Sequence, residues 1–292
     1  GDSDAYTSPE HTAVIIQVHN KYIENALSIL GDLLLGANFK QDAIEIEKRI
    51  ILEEMKQFVD VKGDYVCIDD MSFSLMWKDG ATSTYLFGDE KTITGITIED
   101  LKAHYERFFV PENMVLCISG NIKKEQVIHL INKSFGNLQG KFTGEKPPLK
   151  TTQTEPRYLF KKSPSQTVSF KLCHKAYPYK HKNVLITLLI SDVLGGGISS
   201  RMSLNVREKL GLVYDIACYP TMFSDVGSID IYTSTKKGNL EKTTKAVMDE
   251  IHKFYREGIT EQELKRTEAR VFSQNQLIMD SQLAMANRIG ID

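Results

Sequence analysis

Apolar residues along the first half of the chain recur mainly at intervals of three and four, the spacing that places them on one face of an α-helix. Residues 12–18 are instead rich in the residue types that favour strands, and residues 114–119 predict a second strand. The first half is therefore predicted to mix helices with a few strands. The predicted helices cover residues 22–35, 41–58, 64–77, 98–109 and 123–135.

The second half of the chain shows the same mixture, with more of its apolar residues in strand-like runs. Strands are predicted at 158–160, 166–173, 212–219 and 226–233. Helices are predicted at 182–194, 200–209, 240–255 and 261–278.

A linker is predicted between the two halves, because residues 136–156 collect Gly, Pro, Lys and Thr. We therefore predict an N-terminal domain at 1–140, a linker at 141–156 and a C-terminal domain at 157–292. The chain begins with Gly1 rather than Met and stops just after a helical run, so we expect it to be a segment of a longer protein.

The halves also resemble each other locally, since residues 39–44 and 259–264 correspond in polarity and each follows a strand and a helix. Such a repeat predicts an α+β fold made of two duplicated two-layer α/β sandwich domains, with helices on one face of mostly antiparallel sheets. Glu47 and Glu54 fall on Thr267 and Gln274 in the second copy. The two acids therefore look like chemistry confined to the first domain.

Glu47 and Glu54 lie seven residues apart in the predicted helix 41–58, almost superposed two turns away. On a helical wheel they share a stripe with Ile44, Ile51 and Phe58, which is the face expected to be buried. Burying an unpaired carboxylate is costly, so a cation is expected nearby if this face is covered. Alternatively, the helix is rotated so that both acids are solvated, and the spacing leaves both interpretations open.

The composition excludes several classes of protein. Lys plus Arg number 36 against 38 Asp plus Glu, a net charge of −2 with no basic run, which argues against a nucleic-acid partner. No apolar run reaches the roughly 20 residues needed to cross a bilayer, so no membrane association is expected. The four cysteines are scattered singly, which argues against a disulfide framework or a thiolate metal site.

The seven histidines include no H-x-x-x-H, H-E-x-x-H or H-x-x-E-H pair. A catalytic zinc site needs about three protein ligands, so any histidine partners of the two acids must lie outside these 292 residues. Residues 4–12 precede the first predicted strand and are typical of a turn leading into an edge strand. Such an edge is able to pair with an extended peptide.

A glycine run at 195–197 follows a helix rather than a strand, so it does not predict a phosphate-binding loop. We interpret it as a chain reversal, with Ser199 or Ser200 capping the next helix. Arg207 then lies in the last turn of that helix and Tyr214 in the following strand. Both are compatible with ordinary surface or packing positions, or with a cation and a phenol that hold a substrate carbonyl.

Taken in order, four stretches resemble the pitrilysin/insulinase family of zinc peptidases, which carries the inverted H-x-x-E-H motif. They are DAYTSPEHT (4–12), EKRIILEEM (47–55), FFVPENMVLCISG (108–120) and LGGGISSRMSLNVREKLGLVYDI (194–216). The resemblance implies that Glu54 is the third zinc ligand, that Glu47 assists from close by, and that the two histidines and the base glutamate lie upstream of this chain.

The same resemblance implies that the strand around Asp4 and Ala5 grips peptide backbone, although the family usually has Asn in place of Asp4. Arg207 and Tyr214 match the residues that hold substrate. We therefore expect a segment of a zinc-dependent metalloendopeptidase that hydrolyses peptides with metal-activated water.

By itself, the segment is expected to be inactive and to bind Zn²⁺ weakly. Expected partners are peptides or unfolded proteins, and either a second copy or a related subunit; a cytoplasmic location is expected. The alternatives are a non-catalytic peptidase-like subunit and a peptide-binding module.

Overall fold

The computed structural model describes residues 1–60, 62–78, 88–145, 148–149, 153–162 and 165–291. Its strands are Asp2–Thr7 (β1), Thr12–Gln17 (β2), Thr167–Ala176 (β3), Val213–Met222 (β4) and Gly227–Lys236 (β5). Its α-helices are Ile23–Leu35 (α1), Gln41–Met55 (α2), Ile68–Met76 (α3), Glu90–Gly95 (α4), Ile98–Phe108 (α5), Lys124–Phe135 (α6), Val184–Gly195 (α7), Leu240–Glu257 (α8), Glu261–Asp280 (α9) and Gln282–Ile291 (α10). A π-helix covers Ser203–Lys209.

The described residues divide into two compact units. Unit 1 comprises those of 1–54, 86–146 and 273–292, and unit 2 those of 55–85 and 147–272. The passage from unit 1 to unit 2 at 146–147 lies within the predicted linker, which is only partly among the described residues. Residues 55–85 and 273–292 group with the opposite half of the chain, whereas the predicted boundaries at 140 and 157 were drawn along the sequence.

Unit 1 contains a two-stranded antiparallel sheet in which β1 pairs with β2, with Thr7 opposite Thr12 at the turn. Helix α1 buries Ala26, Leu27 and Leu30. It approaches α6 closely at Gly31, where a Cβ atom would come within 3.3 Å of Ser134. The Tyr105 hydroxyl of α5 donates a hydrogen bond of 2.7 Å to the Leu34 carbonyl, which fastens α5 to the end of α1.

Unit 2 contains a three-stranded antiparallel sheet in the order β3-β5-β4. Its core includes Met202, Val206 and Val247, whose side chains are fully buried, and Ile216 and Ile231 of the sheet. Because Met202 and Val206 belong to the π-helix region, this core fixes the π-helix against the sheet. Cys218 of β4 is a buried free thiol in the same core.

The predicted α+β class with antiparallel sheets is confirmed. Two predicted strands were wrong, because residues 114–119 and 158–160 are extended or irregular and belong to no sheet of the described chain. Both runs have strand-forming residues, but a strand exists only where a partner completes its backbone hydrogen bonds. Within the described residues, no helix is both long enough and apolar enough to span a bilayer.

Candidate functional site

Glu47 and Glu54 lie on α2 as predicted, but the face they occupy is solvent-exposed. The partly buried side of α2 runs through Ile44, Lys48 and Ile51, so the helix is rotated by about one residue from the orientation that would bury the acids. The spacing left two interpretations open, and the one that places both carboxylates on a covered face does not describe this structure. The solvated alternative describes these 292 residues.

Lys48 lies on the partly buried side of α2. Its side chain is only 14% exposed. Its ammonium donates to the Glu45 carboxylate at 3.2 Å and to the carbonyl of Thr94, a residue of α4, at 3.1 Å. A lysine stem can cover apolar surface while its charged end reaches polar partners. Lys48 can therefore occupy the covered face of α2, while the side chain of Glu47 points into solvent.

A catalytic zinc site needs about three protein ligands, and candidates among the described residues are His, Cys, Asp and Glu side chains that lie close together. The described residues include no group of three or more His, Cys, Asp or Glu side chains that could hold a metal ion. Glu47 and Glu54 are both exposed, and neither has an ion pair among the described residues. The donors present in the described chain thus do not form a zinc site by themselves.

The β1 strand carries Asp4 opposite Ile15 and Ala5 opposite Val14. Alternate residues of an antiparallel edge strand direct their backbone groups away from the partner strand. The Ala5 amide donates instead to the carboxylate of Asp4, at 2.8 Å. A peptide that pairs with Ala5 must therefore displace the Asp4 side chain.

Arg207 lies in the last turn of the π-helix, a rare helix type that is frequent at functional sites. Its side chain is 36% exposed and its guanidinium lies 3.6 Å from the carboxylate of neighbouring Glu208. An exposed pair of this kind contributes little stability. The guanidinium is therefore available to another partner at small cost.

Tyr214 lies at an irregularity of β4, where the pairing with β5 shifts register between Val213 and Ile216. The Thr233 hydroxyl fills the irregularity by donating to the Asp215 carbonyl at 2.6 Å. Bulges redirect side chains, and the Tyr214 side chain is 89% exposed. The ring of Tyr214 therefore packs against little of the protein, and both its face and its hydroxyl are available to a ligand.

Arg207 and Tyr214 are joined by the turn at Gly211, whose φ of +60° is the left-handed conformation that favours glycine. The Gly211 amide donates to the Arg207 carbonyl at 3.0 Å, which ends the helix. The turn thus carries the chain directly from the cation to the phenol. Both side chains belong to unit 2, whereas Glu47, Glu54, Asp4 and Ala5 belong to unit 1.

The glycine run 195–197 ends α7 and begins the bend that leads to the next helix, and its glycines also have a packing role. None of the three glycines has positive φ. A Cβ atom at Gly195 would overlap the backbone nitrogen of Cys218, and Cβ atoms at Gly196 and Gly197 would lie 2.6 and 2.9 Å from Nη1 of Arg270. The glycines therefore permit close packing. The predicted cap is present, since the Ser203 amide donates to the Ser200 hydroxyl at 3.4 Å.

A charged cluster in unit 2, in which Lys171 and Asp230 are buried and Asp69 is exposed, was not predicted. The Lys171 ammonium of β3 lies 2.8 Å from Asp69 of α3 and 3.0 Å from Asp230 of β5. Asp230 also accepts from the Thr221 hydroxyl at 2.7 Å. Burial disfavours the charge of Lys171, but Asp230 and Asp69 outweigh it and raise the pKa of Lys171 above its usual value. The cluster joins α3 to the sheet.

Family profiles match most of the chain. The profile described as "Peptidase M16 inactive domain" covers residues 95–271, and the profile described as "Insulinase (Peptidase family M16)" covers residues 1–87. An uncharacterized zinc protease of Bacillus subtilis is 26% identical over 99% of this chain and 70% of its own length. The chain spans 60 to 70% of the length of the curated relatives it matches.

Solved structures show the same fold. A protease from Helicobacter pylori superposes with a TM-score of 0.83 at 18% identity, over 99% of this chain and 71% of that one. A chain in complex III2 from Candida albicans superposes equally well, with a TM-score of 0.83 at 17% identity, over 99% and 70% of the two chains. Since a family profile matches more than half of its residues, this chain belongs to peptidase family M16, the insulinase family.

Proposed function

We propose that this chain is the segment of a zinc metalloendopeptidase that holds the peptide substrate, and that Arg207 and Tyr214 are the residues that contact it. The observation that carries the proposal is their placement, since a π-helix and a β-bulge present an available guanidinium and an exposed phenol on either side of one turn. The zinc-protease names of the relatives support the reaction class.

The two side chains are suited to peptide backbone. A guanidinium and a phenolic hydroxyl both donate hydrogen bonds, so both are able to bind a peptide carbonyl and the negative charge that develops on it during hydrolysis. In unit 1, the β1 strand has an edge of its own, at which a peptide is able to add as a further strand beside Asp4 and Ala5. Backbone recognition of this kind accepts many sequences in extended conformation, as in peptides and unfolded proteins.

Glu54 is proposed as a zinc ligand in the parent protein, with Glu47 assisting it. The described residues supply no further ligands beside these two carboxylates. We therefore assign peptide holding, and not bond cleavage, to this chain. The purified chain is expected to retain far less than one zinc per molecule after dialysis and to show no chelator-sensitive hydrolysis of a fluorogenic peptide.

The test of peptide holding is the affinity of the chain for a fluorescein-labelled unfolded peptide, measured by anisotropy. Arg207→Ala and Tyr214→Phe are each expected to weaken binding about five- to tenfold, the cost of one charge-assisted or neutral hydrogen bond. Arg256→Ala and Tyr255→Phe are matched controls, because Arg256 lies in the last turn of α8 and Tyr255 is 88% exposed. Equal affinities of all five proteins would refute the proposal.

A second candidate is a non-catalytic subunit that assembles with a related chain. The observation that favours it is the fold shared with a chain in complex III2 of Candida albicans, together with the inactive-domain profile over residues 95–271. A stable complex with a related family member, combined with peptide affinity that is insensitive to Arg207→Ala, would support this candidate over the first.

A further inference from the structure

The guanidinium of Arg201 joins three segments of unit 2. Its Nε and Nη2 donate to the two carboxylate oxygens of Glu263, at 2.6 and 2.7 Å, and Nη2 also donates to the Gly258 carbonyl at 2.7 Å. Gly258 ends α8 and Glu263 lies in the first turn of α9. The ends of two helices are therefore tied to the residue that opens the helix leading to Arg207.

This ion pair is shielded from water. The side chains of Arg201 and Glu263 are only 9% and 15% exposed, and the guanidinium lies 5.1 Å from the centre of the Phe254 ring. The hydrogen bonds from Arg201 lower the pKa of Glu263 to about 2, against the opposing effect of burial. Paired donors facing paired acceptors fix orientation as well as distance. The contact thus holds Arg201 in one geometry.

A second ion pair from α9 reaches the same loop. Arg270 lies 2.8 Å from Asp192 of α7, and its guanidinium occupies the space beside Gly196 and Gly197. Glu263 and Arg270 are seven residues apart, hence two turns along one face of α9. One helix face therefore holds the loop between α7 and the π-helix at both of its ends.

The helix that connects the Arg201–Glu263 ion pair to Arg207 is short and hydrogen-bonded throughout its first turn. The Ser203 amide donates to the Ser200 hydroxyl and the Leu204 amide donates to the Ser200 carbonyl, so the helix is bonded from its first turn. Val206, next to Arg207, is fully buried in the core. A change in the orientation of Arg201 therefore passes along fewer than two turns of helix to Arg207.

We infer that Arg201 and Glu263 are positioning residues: their buried ion pair sets the orientation of the π-helix and so aims Arg207 at the bound peptide. The inference rests on the proposed function for its effect on the peptide, but not for its effect on the helix. Small errors in placement are costly for recognition and catalysis, with misplacements of about 1 Å costing up to about 100-fold in rate. The ion pair is thus expected to matter well away from the substrate.

The experiment compares Glu263→Gln with Glu261→Gln in the full 292-residue chain. The control carboxylate lies in the same first turn of α9, but it forms an exposed i,i+4 pair with Lys265. Amide hydrogen exchange is measured over residues 203–214 at a temperature where each variant is folded. Glu263→Gln is expected to speed exchange there at least threefold while leaving β1, β2 and α6 unchanged, and Glu261→Gln is expected to change none of them.

Peptide affinity then separates positioning from general stability. If Glu263 acts through Arg207, Glu263→Gln weakens binding at least threefold alone and adds nothing in an Arg207→Ala background, which a double-mutant cycle reads directly. Should Glu263→Gln not fold, Arg201→Lys keeps the charge but loses the paired geometry, and is measured in the same way.

Unchanged exchange over 203–214, or a loss of affinity that is additive with Arg207→Ala, would overturn the inference. An Arg207→Ala variant with unaltered affinity would instead refute the proposed function, and the exchange result would still decide whether the ion pair positions the helix.

Discussion

At the scale of single residues, the charged side chains in the interior of unit 2 are the clearest departure from ordinary burial. Lys171 and Asp230 have side chains that are 6% and 3% exposed, and they are stable there only as partners. Replacing one partner leaves the other charged, buried and unpaired. Removing one partner should therefore lower the stability of the fold strongly, even if replacing both partners by apolar residues would change it little.

Replacement of Lys171 by Met tests this dependence. We expect the free energy of unfolding to fall by about 3–5 kcal/mol, because Asp230 loses its buried partner. The matched control is Lys245→Met, since Lys245 and Asp249 form an exposed pair with side chains that are 74% and 61% exposed. The control is expected to change stability by less than about 0.5 kcal/mol. Urea denaturation measures both, and equal effects would contradict the prediction.

The lowered pKa of Glu263 predicts how the stability of the chain depends on pH in acid. Arg201 holds the pKa of Glu263 at about 2 in the folded chain, below the roughly 4.3 of an unfolded glutamate. A carboxyl group whose pKa is lowered on folding stabilises the protein above the unfolded pKa, and this contribution is lost as the pH falls from about 4.3 towards about 2.

Urea denaturation at pH 6 and at pH 2.5 checks the response. The unmodified chain is expected to lose more stability over this interval than Glu263→Gln, while Glu261→Gln is expected to follow the unmodified chain. Parallel loss in all three proteins would show that the Glu263 carboxyl does not contribute.

Residue types and spacing in the sequence were enough to choose Arg207 and Tyr214 for attention, but not to determine their surroundings. The wheel for helix 41–58 left the orientation of Glu47 and Glu54 open, and in the structure both are exposed while the long stem of Lys48 lies on the partly buried side. Arg201 and Glu263 were missed altogether, since their pairing joins residues 62 positions apart. The local T-x-x-E pattern at Thr260 was the available signal, and it marks a helix start rather than a distant partner.

At the scale of elements, the glycine run 195–197 allows the end of α7 to pack closely against β4. Gly195→Ala is expected to destabilise the chain by about 1–3 kcal/mol, because the new methyl group would overlap the backbone of β4 at Cys218. Gly238→Ala is the matched control, since nothing lies within 4 Å of its Cβ position and its φ is not positive. Thermal denaturation compares the two, and a Gly195→Ala variant as stable as the control would contradict the packing argument.

Most helices and the strands of the second sheet were predicted to within a few residues, because their apolar periodicity is regular. The π-helix and the β-bulge were not, since both differ from regular structure by one extra residue, a change smaller than the pattern resolves. These two irregular elements carry the side chains that we propose for peptide binding. The sequence therefore indicates these two side chains, but not the irregular backbone that positions them.

At the scale of the whole molecule, the sheet of unit 1 predicts self-association. Two strands make a sheet that is marginal by itself, and both β1 and β2 have one side that lacks a partner strand among the described residues. Large apolar side chains such as Ile29, Leu33 and Val115 are more than half exposed in the same unit. We expect another copy or a related subunit to cover such surface.

Light scattering over a range of concentrations measures this association. The mean mass of the chain is expected to rise with concentration above the 33.1 kDa of a single copy. Ser3→Pro or Ala5→Pro, each of which restricts strand pairing at β1, is expected to reduce the rise, whereas Gly238→Ala is expected to leave it unchanged. A constant mass of one chain at every concentration would contradict the prediction.

The buried thiol of Cys218 offers a measure of how often the core of unit 2 opens. Burial raises its pKa, and that of Cys173, to about 12, so neither sulfur is a thiolate near neutral pH while unit 2 is closed. Alkylating reagents attack only the thiolate. The rate at which Cys218 becomes alkylated will therefore report how often the core of unit 2 opens to solvent, and no cysteine has to be engineered for the measurement.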